Sequence, residues 1–240
     1  AKKKSSDRRR SRPVKKPSAT KKFRRNKPAM LLSIFIVFIL IASSAFAVFQ
    51  FLGGNNDNNV DTNYQDDPEY QSALASTNYP VAVLETSKGA IAVELYTDQA
   101  PYTCENFIKL ANDGFYDGMI FHRISDDFMI QAGKSFPDGS TKTSPYENIE
   151  EFEGEVSHLD GTISMASTGA GVPGSAEFFI CDGAQSFLDG SYAAFGKTIY
   201  GIDVVRDIAD EPHDGSFDPN PGGGIPINDI IINKVIILNK

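Results

Sequence analysis

Apolar and polar positions divide the chain into stretches of unlike pattern. Residues 29–52, AMLLSIFIVFILIASSAFAVFQFL, include no charged side chain. At about 1.5 Å of rise per residue a helix of this length spans the ~30 Å hydrocarbon core of a bilayer, so the run predicts one transmembrane helix. Residues 53–79 show no apolar period and are rich in Asn, Asp and Gly. Such a composition does not offset its ordering entropy and predicts a flexible linker, with a short helix over 70–75 as the alternative. Beyond Pro80 the pattern becomes one of short alternations. Val81, Val83 and Glu85 share one side of a run that turns at Ser87-Lys88-Gly89 into a second run, the signature of a β-hairpin. In YTCENFIKLANDG, residues 102–114, an apolar stripe of Phe107, Ile108, Leu110 and Ala111 ends at Gly114, where a helix-terminating glycine belongs. Further runs predict strands at 119–124, 128–131, 161–166, 178–181 and 193–197, a second helix at 202–209 and a last strand at 229–238. Many short strands separated by Gly, Pro and Asp turns predict a mainly-β domain over 80–240, an antiparallel barrel or sandwich with two α-helices.

Charge sharpens this division. Residues 1–28 hold fourteen Lys or Arg against one acid, Asp7, so that stretch carries +13 and, within a total of −8, the remainder carries −21. Basic residues crowd the N-terminal side of the apolar run, and none follows it until Lys88. This asymmetry predicts a single-pass protein of the cell membrane, its tail cytoplasmic and its domain extracytoplasmic. The second reading is a signal peptide cleaved near Ala47, because Ala45-Phe46-Ala47 has the small-x-small pattern, which would leave a secreted domain. A basic run beside an apolar span is a topology signal, so no nucleic-acid partner is expected. Cys104 and Cys181 are the only cysteines and allow at most one bridge, so the domain must fold by burying apolar surface.

Familiar catalytic constellations are missing. His122, His158 and His213 lack metal-ligand spacing and read as structural; no glycine-rich phosphate loop or nucleophile motif occurs, so neither a metal nor a cofactor is expected. The oxygen-rich DGSFDPNPGGG at 214–224 lacks calcium-loop spacing and reads as a plain loop. What stands out is a series of blocks: Phe121-His122-Arg123, Phe128-Met129-Ile130-Gln131, Ser164-Met165-Ala166, Glu177-Phe178-Phe179-Ile180, Phe187-Leu188-Asp189-Gly190 and Phe195-Gly196-Lys197. In order and spacing they resemble the cyclophilin family of peptidyl-prolyl cis-trans isomerases over about 81–238, and the 165–179 loop resembles its bacterial members. The resemblance implies a closed eight-stranded antiparallel β-barrel with two α-helices. It also implies a folding catalyst for proline-containing unfolded or extended polypeptides, here exported or cell-envelope chains; a monomer is expected.

The resemblance assigns roles to particular residues. Arg123 is the arginine aimed at the prolyl nitrogen, with Phe128 and Gln131 beside it, Gln131 holding the substrate backbone. Phe128, Met129, Phe179 and Leu188 line the proline pocket, and Ala166 with Ser167 forms the strand that pairs with the bound peptide. Glu177, Phe187 and Tyr192 complete the substrate-binding set. The commonest eukaryotic pattern has Asn, Gln, Trp and His where this chain has Ser167, Glu177, Phe187 and Tyr192, and Phe187 offers no indole N–H. The rival reading is a holdase that grips proline segments in the same groove. Glu177 favours it, since a carboxylate near Arg123 would pair with the guanidinium and draw it away from the prolyl nitrogen.

Overall fold

A computed structural model describes residues 63–146, 150–152, 156–219 and 222–240. The basic tail and the apolar run expected to cross a membrane lie outside the described residues. Among the described residues no helix is long and apolar enough to cross a membrane.

The first described segment corrects the linker reading from residue 63 onward. Helix α1 (Pro68–Ser76) begins with Asp67 accepting from the Glu69 N–H at 2.8 Å and with proline in its first turn, where the missing N–H is no loss. Tyrosines then dock it on the sheet. Tyr64 donates to Glu85 at 2.7 Å, Tyr200 donates to Asp67 at 2.8 Å, and Tyr70, 4% exposed, meets the rings of Tyr64 and Tyr200 edge-on. These side chains cover Val81, Val83, Ala90 and Ala92, an apolar cluster separate from the main core. The scattered aromatics of a polar segment thus supply its burial, and the domain has three α-helices rather than two.

The hairpin of β1 (Val81–Thr86) and β2 (Gly89–Leu95) turns where Lys88 N donates to Thr86 Oγ1 and Thr86 donates to the Gly89 carbonyl. Helix α2 (Pro101–Asn112) buries Cys104, Phe107, Leu110 and Ala111, and Gly114 follows it at φ +63°. After β3 (Arg123–Ser125), β4 (Met129–Ala132), β5 (Thr162–Met165), β6 (Phe178–Cys181) and β7 (Ala194–Tyr200) come α3 (Ile202–Ala209) and β8 (Ile232–Leu238). The antiparallel sheet runs β3-β4-β6-β5-β7-β2-β1-β8.

The expected closed barrel is not formed as a continuous ladder: β3 and β8 stand at the two ends of the sheet. The edge of β3 away from β4 is taken by Gly224, which exchanges backbone hydrogen bonds with Ile124. The seam is crossed by the segment before β3, through the bridge Ile120↔Ile231 and the bonds Phe121 N to Ile230 O (3.0 Å) and Ile232 N to Met119 O (2.8 Å). Cys104 and Cys181 are free and buried, and burial pushes both thiols up to about 12.

A fragment beginning at residue 63 is therefore expected to unfold at higher denaturant than one beginning at residue 80. Within the longer fragment, Tyr70→Ala should cost about 3 kcal/mol, the loss typical of truncating a buried aromatic. Equilibrium urea titrations measure both, and equal midpoints for the two fragments would show that α1 adds nothing to the fold.

Candidate active site

β4 and β6 are buried on both faces, and their alternation sorts two sets of side chains. Ile130, Ala132, Phe178 and Ile180 enter the main core, whereas Met129, Phe179 and Cys181 form a second apolar cluster with Ala166 and Leu188. The same register aligns Arg123, Gln131, Phe179 and Ser164 as successive partners across β3, β4, β6 and β5. Directly opposed residues on one face stand about 5 Å apart, so positions distant in the sequence become one row.

A pocket of about 350 Å³ opens on this face, and every residue that the resemblance assigns to the site lines it. Met129, Phe179 and Leu188, 2%, 5% and 8% exposed, supply apolar walls that a proline ring would fit. Phe128 and Phe187 stack with centroids 6.0 Å apart; Phe187 is 71% exposed and forms a rim. Tyr192 meets Phe179 edge-on, and the buried ring of His158 stacks on Phe179 at 5.9 Å. His158 is fixed in turn by Asp189 Oδ1 at 2.8 Å from Nδ1 and Ser164 Oγ at 2.9 Å from Nε2; burial lowers its pKa while the Asp189 contact opposes that shift. Its role is structural, as its sequence context suggests, but the structure it supports is the pocket. Ala166 N donates to the Glu177 carbonyl at 2.8 Å, and Ser167 Oγ donates to the Gly169 carbonyl at 2.7 Å.

Arg123 is half-buried at the start of β3. Its Nε and Nη2 both donate to the Gly222 carbonyl, at 3.3 and 2.9 Å, and its Cζ lies over the rings of Phe128 (5.5 Å) and Phe217 (5.0 Å). Burial lowers its pKa, yet a guanidinium stays cationic throughout the physiological range. Among the described residues no carboxylate is paired with it.

The Glu177–Arg123 pair on which the holdase reading rests is therefore not made. Glu177 instead accepts from Gln131 Nε2 at 3.1 Å, while His122 Nε2 and Lys134 Nζ each stand 3.3 Å from one of its oxygens. Burial alone would raise the Glu177 pKa; the His122 and Lys134 contacts outweigh it and hold the carboxyl below its ordinary value. Since a carboxylate only accepts, Gln131 must turn its amide nitrogen toward Glu177. His122, which reads as structural in the sequence, also lines the pocket, as do Lys134 and Phe217, which escaped the sequence reading. An acid at position 177 was itself a signal that cations lie nearby. Phe217 gave none, because the 214–224 loop has no period from which its direction follows. His213 accepts from the Gly215 N–H at 3.1 Å within that loop, and no group of His, Cys, Asp or Glu side chains among the described residues is arranged to hold a metal.

If Glu177 holds Gln131 in place, Glu177→Ala is expected to raise KM for a proline peptide about 5-fold, the equivalent of one hydrogen bond. Glu177→Gln, which keeps an acceptor for Gln131, should raise it less, with kcat changing little in either variant. Steady-state kinetics on both decide this; a salt-sensitive gain in rate for Glu177→Gln would instead mean that the carboxylate does compete for Arg123.

Comparison with known proteins places this geometry. Residues 81–235 match the family described as cyclophilin type peptidyl-prolyl cis-trans isomerase/CLD. The peptidyl-prolyl cis-trans isomerase ppi1 of Schizosaccharomyces pombe is 41% identical over 126 residues, 51% of this chain and 81% of the relative. A peptidyl-prolyl cis-trans isomerase of Synechococcus elongatus is 44% identical over 117 residues, 49% of this chain and 79% of the relative. With a yeast and a cyanobacterium at similar identity, the comparison does not sort the chain into a bacterial group. A crystal structure of a Cryptosporidium parvum cyclophilin type peptidyl-prolyl cis-trans isomerase superposes with a TM-score of 0.54 at 28% identity, covering 68% of this chain and 99% of that one. The same protein has also been crystallised in the presence of the dipeptide Ala-Pro, with a TM-score of 0.55. The half-open β-sheet, the apolar pocket and the lone arginine beside it thus have a family: the chain belongs to the cyclophilin type peptidyl-prolyl cis-trans isomerases.

Proposed function

We propose that Arg123 catalyses the rotation of X-Pro bonds electrostatically, in proline-containing segments of exported or cell-envelope polypeptides. An X-Pro amide resists rotation by about 18–20 kcal/mol because its C–N bond has partial double-bond character. Twisting removes that character and leaves a lone pair on a pyramidal prolyl nitrogen. A fixed cation at that nitrogen stabilises the twisted state more than the planar one, which is what lowers a barrier. The observation that carries the reading is a half-buried guanidinium, without a carboxylate partner among the described residues, at the edge of an apolar pocket. In this reading Met129, Phe179 and Leu188 hold the pyrrolidine ring, Gln131 and Ala166–Ser167 hold the backbone, and Phe128, Phe187 and Tyr192 border the groove. A holdase that grips without catalysis would be favoured by a Glu177–Arg123 pair, and Glu177 is engaged elsewhere.

The location rests on the charge asymmetry around residues 29–52. The tail is cytoplasmic, the apolar run is a membrane anchor, and the domain works as a monomer outside the membrane on chains leaving the secretion channel. Cleavage near Ala47 would release the same domain.

Arg123→Ala should lower kcat/KM by about 10²–10³, as removal of one transition-state donor typically does, with far less loss of peptide binding. Arg123→Lys should restore little, because an ammonium does not reproduce the planar fork. A protease-coupled assay with a proline tetrapeptide measures both, and an Arg123→Ala variant as fast as wild type would end the mechanism. For the location, protease added to cells stripped of wall or outer membrane is expected to release a fragment containing residues 63–240 and to leave the basic tail protected. Recovery of intact domain from the medium, starting just after Ala47, would favour the cleaved form.

A further inference from the structure

The segment that holds Arg123 belongs to the loop that reads as featureless in the sequence. Asp214 Oδ1 accepts from Ser216 N (3.0 Å) and Ile225 N (2.9 Å), and Asp218 Oδ1 accepts from Gly223 N (2.8 Å). Phe217 N donates to the Gly223 carbonyl and Gly222 N donates to the Phe217 carbonyl, both at 3.0 Å, so Phe217 and Gly222 form one hydrogen-bonded unit. That unit is seated on β3 itself: Ile124 and Gly224 exchange backbone hydrogen bonds at 2.9 and 3.0 Å. Seating this close requires glycine at 223, where φ is +85° and a Cβ would stand 2.1 Å from the Ile124 carbonyl oxygen. The loop therefore docks beside Arg123, whose side chain reaches back to it.

Both contacts that it makes with Arg123 come from neutral groups. A guanidinium has five N–H donors, of which the Gly222 carbonyl engages Nε–H and one on Nη2, leaving the others for substrate. The Phe217 ring, 5.0 Å from Cζ and 37% exposed, attracts the cation through its quadrupole without neutralising it. A carboxylate in that place would bind the guanidinium more firmly and cancel the charge needed at the prolyl nitrogen.

We propose that Phe217, together with the Gly222 carbonyl, is a positioning residue for the isomerase: it holds the Arg123 guanidinium in orientation while leaving its charge free for the twisted amide. The inference rests on the electrostatic role of Arg123 given above, and the experiment separates the failure of one from that of the other. Steady-state kcat and KM are measured for the full chain in detergent, with a proline tetrapeptide, for wild type, Phe217→Leu, Phe217→Tyr and Arg123→Ala, and for Phe217→Leu combined with Arg123→Ala. Phe217→Leu keeps the apolar volume and removes the ring, and is expected to lower kcat about 5-fold with KM nearly unchanged, the size of one cation–aromatic contact. Phe217→Tyr retains the ring and should keep most of the rate. In the Arg123→Ala background Phe217→Leu should have no further effect on kcat, since its action passes through the arginine. Thermal unfolding of each variant shows whether the fold is kept; at a site this exposed Phe217→Leu should melt near wild type, and a rate loss that tracks a fall in Tm would overturn the proposal. A wild-type kcat for Phe217→Leu, or a rise in KM alone, would also overturn it, the second by making Phe217 a wall for substrate. Full activity of Arg123→Ala would instead remove the mechanism on which the proposal rests.

Discussion

A row of four isoleucines sets the register on which the site depends. Ile124, Ile130, Ile180 and Ile163 are successive partners across β3, β4, β6 and β5, and all are fully buried. Side chains alternate along a strand, so this row fixes the adjacent one, Arg123, Gln131, Phe179 and Ser164, on the opposite face. A slip of one residue would carry the guanidinium and the amide into the core and the isoleucines out of it, and desolvating an unpaired cation there is costly. The interior thus enforces the position of the site more strictly than any contact within the pocket.

Charge in the pocket follows a similar economy of partners. Glu177 is met by Lys134, His122 and Gln131, and so is compensated locally. Arg123 is met by a carbonyl and two aromatic rings, and so is not. Carboxylates are abundant in this acidic chain, yet the fold keeps them off the one arginine that lines the pocket. Hydrogen bonds to a neutral carbonyl orient a guanidinium while leaving most of its field available, which suits it to a lone pair that exists only in the transition state.

Much of this was legible in the sequence, for identifiable reasons. The hairpin, α2, α3 and most strands carry local signals of alternation, an apolar stripe and turn glycines and form close to where those signals predict; the run at 119–124 forms a strand only from Arg123, Ile120 making a single bridge to Ile231. The site residues were recognisable as a set because their blocks are separated and ordered, and the structure brings Arg123, Gln131 and Phe179 into one row. What was not legible depended on distance. β6 is apolar on both faces and β4 departs from that only at Gln131, so periodicity marks Met129 and Phe179 as buried without saying that they face a pocket. Helix α1 is stabilised by Tyr200 and Glu85, far from it in the chain, so a polar composition reads as a linker. Phe217 gains its direction from glycines that let the loop press on Ile124, and that loop takes the edge of β3 on which β8 would otherwise pair.

In the proposed mechanism Arg123 needs an uncompensated positive charge as well as the planar fork that presents it. Citrulline installed at position 123 by nonsense suppression tests the charge, because it keeps the planar shape, the Nε–H and one NH₂ group while a neutral carbonyl oxygen replaces the other NH₂. The citrulline enzyme is expected to bind a proline peptide nearly as wild type does, while its cis-trans exchange rate, followed by NMR on the bound peptide, falls by roughly the 10²–10³ expected for losing the electrostatic donor. A citrulline enzyme that retains most of the wild-type exchange rate would contradict this mechanism, and would assign the catalysis to the hydrogen bonds and the pocket alone.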